Sequence, residues 1–445
     1  MTNNMTEGKP FRIIISFMIP MCLGNIFQQF YNIADSIIAG RFIGVDALAA
    51  IGSTSSLIFL VTGWLNGMTS GFAIMVAQSF GAQKYDRMRH FVAMSIYLCL
   101  AFVVVMTVGL EFANIPILRL MNSPEELMGD ISSYMAIIYA GLIATAAYNA
   151  LAAVLRALGD SKTPLYFLIF SAVVNVILDI VFVTVIKTGV KGCGYATVIA
   201  QGLSAVLCLV YIAKRFEILH LSGKDFKLSW NSMGKLLGLG IPMGLQFSIT
   251  AIGTIIVQGA VNVFGAVYMA AFSAAGKVQN IMVTVMVSFG ATIATYVGQN
   301  RGAGKMDRVH AGVRITLGME LVWSVLMILI MLFAGPLFLQ MFVDGSQQDV
   351  LEIAMSYFKM VAWCYPFLSC IFLYRNALQG MGYGLVPMLG GIFELLARGL
   401  VILLVSGRGS FALVCLSDPC AWIAALIPLV PYYYFVMHKY KKQHA

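Results

Sequence analysis

The chain is a succession of apolar segments, each long enough to cross a lipid bilayer. A helix crosses the roughly 30 Å hydrocarbon core in about 20 residues. Only 11% of the 445 residues are charged, against about 25% in an ordinary soluble domain. The predicted fold class is therefore an all-α integral membrane protein with twelve transmembrane helices. We place its spans at residues 13–38, 53–77, 91–113, 131–155, 164–186, 193–213, 236–260, 271–298, 315–338, 353–378, 387–406 and 419–437.

The Lys and Arg residues lie mostly on one side of these spans. The side that holds the N-terminus carries 19 of the 28 basic residues, the opposite side carries 5, and 4 lie within spans. By the positive-inside rule, both termini are cytoplasmic and the protein is a multi-pass protein of the cell (plasma) membrane. The net charge of +9 is then a topology signal, so we expect membrane lipids around the chain and no nucleic-acid partner.

The two halves of the chain repeat each other at offsets of 221 to 223 residues. The matches are Ile-Pro-Met at 19–21 and 241–243, the loops that begin at Gly81 and Gly302, and the Leu, Gly and Pro of 155–164 and 378–387. We predict two pseudo-symmetric six-helix lobes, residues 1–215 and 236–445, joined by a cytoplasmic linker at 216–235. Because six is even, the lobes have parallel topology around a central cavity, which favours alternating access over an open pore.

Ionisable residues within the spans are few, and burying each one costs about 2.5–3.5 kcal/mol on insertion scales. At about 1.5 Å of rise per residue, four polar residues of the first half fall in one outer layer, roughly 6–12 Å inside the boundary. These are Asp35, Tyr134, Asp179 and Thr197. Asn175 lies four residues before Asp179 and shares its helix face.

This outer layer is the candidate ion site. Burial and like-charge repulsion both disfavour the ionised form of a carboxyl group, so two carboxylates in one dry layer suit proton binding. The same layer could instead hold Na⁺ through oxygen ligands at Asp35, Asn175, Asp179 and Thr197. A third interpretation stays open, in which each Asp separately bonds a neighbouring helix.

The other charges within the spans have less defined roles. Glu394 and Arg398 lie four residues apart, and we predict that they pair with each other rather than bind substrate. Glu320 is predicted to reach the cytoplasmic boundary. The roles of the three remaining basic residues stay open between anchoring helix ends and lining a cavity; they are Lys277, Lys359 and Arg375.

Pro20 interrupts the hydrogen bonding of span 1 and is the candidate helix hinge, although a kink that serves only packing stays equally open. The eight cysteines show no metal-binding or disulfide spacing, and no histidine falls within a span. No enzyme motif is found. We therefore predict a protein that is not an enzyme, with no cofactor other than a coupling ion.

Several segments resemble multidrug and toxic compound extrusion (MATE) transporters. They are the stretch from Pro20 through QQFYNIADSIIAGRFIGVDALAAIG, the loops GAQKYDR and GAGKMDR, LRALGDSKTP (155–164), NVILD (175–179) and DPCAW (418–422). The resemblance covers essentially the whole chain in order. It implies two six-helix lobes and export of lipophilic or cationic organic compounds in exchange for H⁺ or Na⁺.

The resemblance also implies which residues form the ion site. The family's span 1 Asp and its Asn-x-x-x-Asp of span 5 fall here on Asp35, Asn175 and Asp179. Tyr134, Thr197 and Asn149 match further members of the polar network. Asn149 lies 15 residues beyond Tyr134, roughly 22 Å along a straight helix, and therefore outside the outer layer.

The chain departs from the family's sodium-coupled norfloxacin pumps, which carry acidic residues in spans 7 and 10. No Asp or Glu occurs between Lys235 and Lys277, or between Glu352 and Glu394. The chain therefore resembles the DNA-damage-inducible (DinF-like) branch, in which coupling is attributed to the N-terminal lobe.

Two other functions were weighed against multidrug export. A lipid-linked oligosaccharide flippase of the same superfamily would line its cavity with several cations, and only four basic residues lie within spans. A receptor or channel would need no paired carboxylates, and the repeat argues against it. We expect a monomer whose partners are small organic substrates.

Overall fold

The computed structural model describes residues 4–121, 125–405 and 409–444, without the side chains of 30–36, 39, 45–49, 53 and 444. Within these ranges the chain is helical and contains no strand. Eleven helices are long and apolar enough to cross a membrane, and a pair bent by 43°, Glu125–Ala140 and Leu142–Ala157, would make a twelfth span. The predicted all-α membrane fold is confirmed, and predicted span 4 is this bent pair.

Contacts divide the chain into two compact units. The first consists of Met1–Asn4 and Ile19–Gly244. Its helices are α1 (Pro10–Ile38, from Ile19 onward), α2 (Val45–Gly81), α3 (Tyr85–Leu120), α4 (Met128–Ala140), α5 (Leu142–Ala157), α6 (Lys162–Ile180), α7 (Val190–Arg215) and the first part of α8 (Trp230–Asn262). Short π-helical turns follow α1 at Ala39–Ile43 and α6 at Val181–Val185.

The second unit consists of Met5–Met18 and Leu245–Ala445. After the rest of α8, its helices are α9 (Ala266–Gly302), α10 (Met306–Leu329), α11 (Gly335–Leu339), α12 (Gln348–Val361), α13 (Tyr365–Gly380), α14 (Leu385–Val405), α15 (Phe411–Cys415) and α16 (Ser417–His444). Lobes 1–215 and 236–445 would place the first part of α1 in the first unit and that of α8 in the second. The structure has the reverse: the first part of α1 lies in the second unit, and the first part of α8 lies in the first. Both changes of unit fall two residues from a proline, Pro20 or Pro242.

The duplication is visible in the backbone of both units. Positive φ angles recur at matched positions: Gly44 and Gly265 (129° and 92°), Gln83 and Gly304 (56° and 72°), and Gly159 and Gly382 (84° and 85°). A side chain makes this left-handed region unfavourable, which explains the glycines at every one of these positions except Gln83. The two halves therefore share their turn geometry as well as their helix order.

Glycines of α2 bring it into backbone contact with the first part of α8, within the first unit. A Cβ at Gly67 would lie 2.5 Å from the carbonyl oxygen of Met243, and one at Gly71 would lie 2.8 Å from the Cα of Gly240. Real Cβ atoms do not approach so closely, so only glycine fits there. Phe72 and other buried residues of the same two helices join the hydrophobic core of this unit.

The predicted linker is held against the start of α3. The ring of His90 bonds the backbone oxygen of Asp225 at 3.0 Å and the hydroxyl of Ser232 at 3.1 Å. Burial of Asp225 raises the pKa of that carboxyl, but hydrogen bonds from Ser222 and the nearby Arg89 and His90 outweigh it, so the pKa lies below its ordinary value.

In the second unit, the residues that precede α1 are held by the turn between α9 and α10. The Met5 amide donates to Gln299 Oε1 at 2.9 Å, and the Met5 carbonyl accepts from Asn300 and Arg308, each at 3.2 Å. Arg308 also donates to the carbonyl of Gly8 at 3.0 Å. The second copy of the repeated loop therefore anchors the segment that leads into α1.

Replacing Gly67 with Ala tests the α2–α8 contact, and Gly109→Ala on α3, where an added Cβ meets nothing within 4 Å, is the matched control. Both changes improve helix propensity by about 1 kcal/mol. Overpacking at Gly67 should cost about 1–3 kcal/mol. We expect Gly67→Ala to melt a few degrees below wild type and Gly109→Ala to melt at or above it, measured on purified protein in detergent. Equal melting temperatures for the two variants would contradict the close contact.

Candidate functional site

Two helices of the first unit bring together three of the predicted ion-site residues. Asn175 and Asp179 lie one turn apart on α6, and both are 0% exposed. The Asn175 amide donates to the Thr197 hydroxyl on α7 at 3.5 Å, and Thr197 in turn donates to the carbonyl of Cys193 at 2.9 Å. Asn175 and Asp179 therefore lie in the core of the unit, and Thr197 is half-buried.

Tyr134 reaches the same region from α4, which also packs against α7. Its ring packs where α7 has a glycine: a Cβ at Gly194 would lie 3.3 Å from the Tyr134 ring and 3.1 Å from Ile137. Gly194 is one helical turn before Thr197. The small residue thus lets Tyr134, which is 6% exposed, approach α7 beside the polar cluster.

The other two predicted members are not placed in this cluster by any described contact. Asp35 lies on α1, but its side chain is outside the described residues. Asn149 lies on α5, half-buried and beyond the bend that separates α5 from Tyr134 on α4. Among the described residues, no hydrogen bond joins Asn149 to Tyr134, Asn175 or Thr197. Both assignments remain predictions.

The chemistry of the cluster suits a single positive charge. Asp179 offers a carboxyl group, and Asn175, one turn away, and Thr197, which accepts a hydrogen bond from Asn175, offer neutral oxygen atoms. A buried carboxylate needs a counter-charge or a proton, because an unpaired buried charge is strongly unfavourable. An arrangement of this kind can bind and release H⁺ or a monovalent cation.

The second unit contains a buried chain of ion pairs that runs across α13, α14 and α16. Arg375 Nη2 lies 3.1 Å from Glu394 Oε2, and Glu394 Oε1 lies 3.0 Å from Arg398 Nη2. Arg398 Nε then donates to Asp418 Oδ1 at 2.9 Å. The predicted Glu394–Arg398 pair is confirmed, and the open role of Arg375 is answered by its pairing with Glu394.

Asp418 was missed as an intramembrane charge because predicted span 12 began one residue later, at 419. Two further contacts complete its surroundings. The Tyr357 hydroxyl donates to Gln279 Oε1 at 2.7 Å and lies 3.5 Å from Asp418 Oδ2. A Cβ at Gly253 of α8 would lie 2.7 Å from Arg398 Nη1, so this glycine makes room for the guanidinium group.

The prediction that Glu320 reaches the cytoplasmic boundary is wrong. Its side chain is 0% exposed, and neither carboxyl oxygen has a hydrogen-bond partner among the described residues. Glu320 is buried because it lies on a buried face of α10. Thr316 and Ser324, one turn to either side, are fully buried too, and the hydroxyl of Ser369 on α13 lies 3.4 Å from the backbone oxygen of Glu320.

The two buried glutamates should respond oppositely to replacement by methionine. Glu320→Met replaces a carboxyl group that lacks partners with an apolar chain of similar size, so the melting temperature should rise. Glu394→Met leaves Arg375 and Arg398 short of a counter-charge and should cost about 3–5 kcal/mol. Thermal unfolding of purified protein in detergent measures both. A fall of similar size in the two variants would contradict the described environment of Glu320.

Known proteins resemble the chain in sequence and in fold. The sequence profile of the MatE family matches residues 20–181 and again residues 242–404. "Probable multidrug resistance protein YpnP" of Bacillus subtilis (strain 168) is 28% identical over 391 residues, which cover 85% of this chain and 84% of that protein. Crystal structures of a MATE protein in the bent and the straight conformation are each 19% identical and give TM-scores of 0.91 and 0.89, with 99% of this chain and 98% of theirs covered. At that identity the structural likeness shows the fold alone.

Proposed function

Because the chain belongs to the MATE family of transporters, we propose that it is a multidrug exporter that moves lipophilic or cationic organic compounds out of the cell in exchange for H⁺ or Na⁺. The resemblance seen in the sequence is confirmed by the match of the family profile to both halves of the chain. The fold of the chain is that of a multi-pass membrane transporter. The coupling ion, the exchange and the DinF-like branch belong to the proposal.

The buried cluster at Asn175, Asp179 and Thr197 is the observation that carries the proposed coupling. Asp179 is fully enclosed, so a change in its charge state must be balanced by an ion or by a rearrangement of the helices around it. We assign the second carboxylate to Asp35 on α1, and we assign Tyr134 and Asn149 to the same polar network. The ion-loaded and ion-free forms then favour different conformations of the transporter.

The exchange follows from linkage between the two ligands. An ion shifts a conformational equilibrium only by its different affinity for the two states. If ion binding lowers the affinity for substrate by some factor, substrate binding must lower the affinity for the ion by the same factor. With the carboxylates charged, the protein takes up a lipophilic cation from the cytoplasm or inner leaflet, and ion binding from outside releases it.

Pro20 is the proposed hinge of this cycle. α1 continues as a helix through Pro20, but proline has no N–H to donate to the carbonyl of Ser16, so bending costs less there. The change of compact unit falls just before it, between Met18 in the second unit and Ile19 in the first. Asp35 lies on the same helix, so ion binding and bending can act on one element.

Transport in proteoliposomes tests the coupling. Asp179→Asn and Asp35→Asn should each abolish gradient-driven substrate movement, because each removes one ion-binding carboxyl group. Asp130→Asn, at an exposed position before Tyr134, should transport at the wild-type rate. Imposing the pH gradient and the sodium gradient separately identifies the ion. Wild-type transport by Asp179→Asn would exclude the proposed site.

Cysteine labelling tests the proposed orientation in intact cells, on a background without the eight native cysteines. Lys84→Cys lies exposed in the turn between α2 and α3, which the charge distribution assigns to the cytoplasm. It should resist a membrane-impermeant thiol reagent, while Glu126→Cys, exposed on the opposite side, should react. The reverse pattern would invert the topology.

A lipid-linked oligosaccharide flippase is supported less well than an exporter. A pyrophosphate group calls for unpaired cations, and both arginines within the predicted spans already have carboxylate partners. Arg375 pairs with Glu394, and Arg398 pairs with Glu394 and Asp418.

A further inference from the structure

One ion pair of the second unit, Arg398–Asp418, lies at positions that the repeat matches to Asn175 and Thr197 of the first unit, while Asp179 matches Ile402. α6 matches α14, and α4 matches α12, at the offset of 223 set by Pro164 and Pro387. α7 matches α15 and α16 together at 221, an offset at which Val190 and Phe411, the first residues of α7 and α15, coincide and Ala200 lies opposite Ala421. These alignments pair Tyr134 with Tyr357, Asn175 with Arg398, and Thr197 with Asp418.

The matched residues also meet in space, each set within its own unit. Asn175 reaches Thr197 at 3.5 Å, and Arg398 reaches Asp418 at 2.9 Å. Each contact joins the fifth to the sixth span of its half. The tyrosines agree as well: Tyr134 packs against α7, and the hydroxyl of Tyr357 lies 3.5 Å from Asp418.

The two sets differ in charge. In the first unit, the matched contact joins the amide of Asn175 to the hydroxyl of Thr197, one helical turn from the buried carboxyl group of Asp179. In the second unit, the guanidinium group of Arg398 lies between two carboxylates, Glu394 and Asp418. A guanidinium group stays protonated at any physiological pH, so this cation is permanent.

We propose that Arg398 occupies the ion position of the second repeat as a tethered cation, so that the coupling ion binds only in the first unit. This inference rests on the proposed function of the Asp35 and Asp179 site. The charged groups of the second cluster balance one another, since Arg375 and Arg398 face Glu394 and Asp418. An added cation would meet a positive charge already in place.

The neighbouring side chains fit a resident guanidinium group. Gly253 of α8 leaves the space in which Arg398 lies. The remaining titratable groups around Asp418 are Tyr357, Tyr365 and Cys415, and none of them carries a positive charge. Arg398 is thus the only cation bonded to Asp418 among the described residues, and removing it should open the site to an ion.

Cation uptake by purified full-length protein in detergent tests the proposal. The probes are radiolabelled Na⁺, and protons followed with a pH indicator. Wild type should take up about one cation per chain, and Asp35→Asn/Asp179→Asn should take up none. Adding Arg398→Asn to that double variant should restore uptake of about one Na⁺ or proton, because Asp418 loses its tethered partner.

Two controls separate a new site from general damage. Arg398→Lys in the same background keeps a cation and should take up none. Arg398→Asn with Asp418→Thr reproduces the neutral pair of the first unit and should take up none either, while Glu394 keeps Arg375 as its partner.

Two results would overturn the proposal. The first is cation uptake retained by Asp35→Asn/Asp179→Asn, and the second is no increase in cation uptake when Arg398→Asn is added to that variant and the protein is folded. If the variants that carry Arg398→Asn do not fold at any salt concentration or pH, the test is cation uptake by Asp35→Asn/Asp179→Asn. Loss of that uptake supports the proposal, and retained uptake overturns it. A wild type without uptake would refute the proposed coupling site instead, and a gain in Arg398→Asn would still support the tethered cation.

Discussion

A backbone amide in the hydrocarbon core of a bilayer has no water to bond, so every one needs a partner within the protein. Helices meet this demand locally, and the described ranges of the chain contain helices and turns but no strand. Even the irregular places at Ala39–Ile43, Val181–Val185 and Ile330–Ala334 are π-helical turns, which keep the backbone bonded. Once the backbone is satisfied in this way, only the side chains are left to distinguish one helix from another.

Charge is the costly exception in such an interior, and the two halves of the chain treat it differently. The second unit contains a buried chain of ion pairs, with Glu394 held between two arginines. The first unit encloses Asp179 one helical turn from Asn175, whose amide donates to the hydroxyl of Thr197. A duplicated scaffold can thus keep its geometry while the matched positions carry a neutral amide–hydroxyl contact in one copy and a salt bridge in the other.

The duplication also accounts for the matched prolines of α1 and α8, Pro20 and Pro242. α1 and α8 each start in one compact unit and end in the other, and each changes unit beside its proline. Close contacts hold both starting segments. Met5 is bonded by the turn after α9, and Met243 touches Gly67 of α2. Bending at either proline would therefore act on helices whose two ends are anchored separately.

The sequence by itself determined the class of fold, the number of spans to within one, the repeat and the Glu394–Arg398 pair. Each depends on composition or on spacing along one helix, which are local properties. Only the tertiary structure decided that Arg375 and Asp418 join that pair, and that Glu320 is buried. A residue number gives a side chain's height along its helix, but the neighbouring helix it faces depends on how the helices pack. Contacts between distant segments, such as Met5 with Gln299, follow from that packing and have no local signature in the chain.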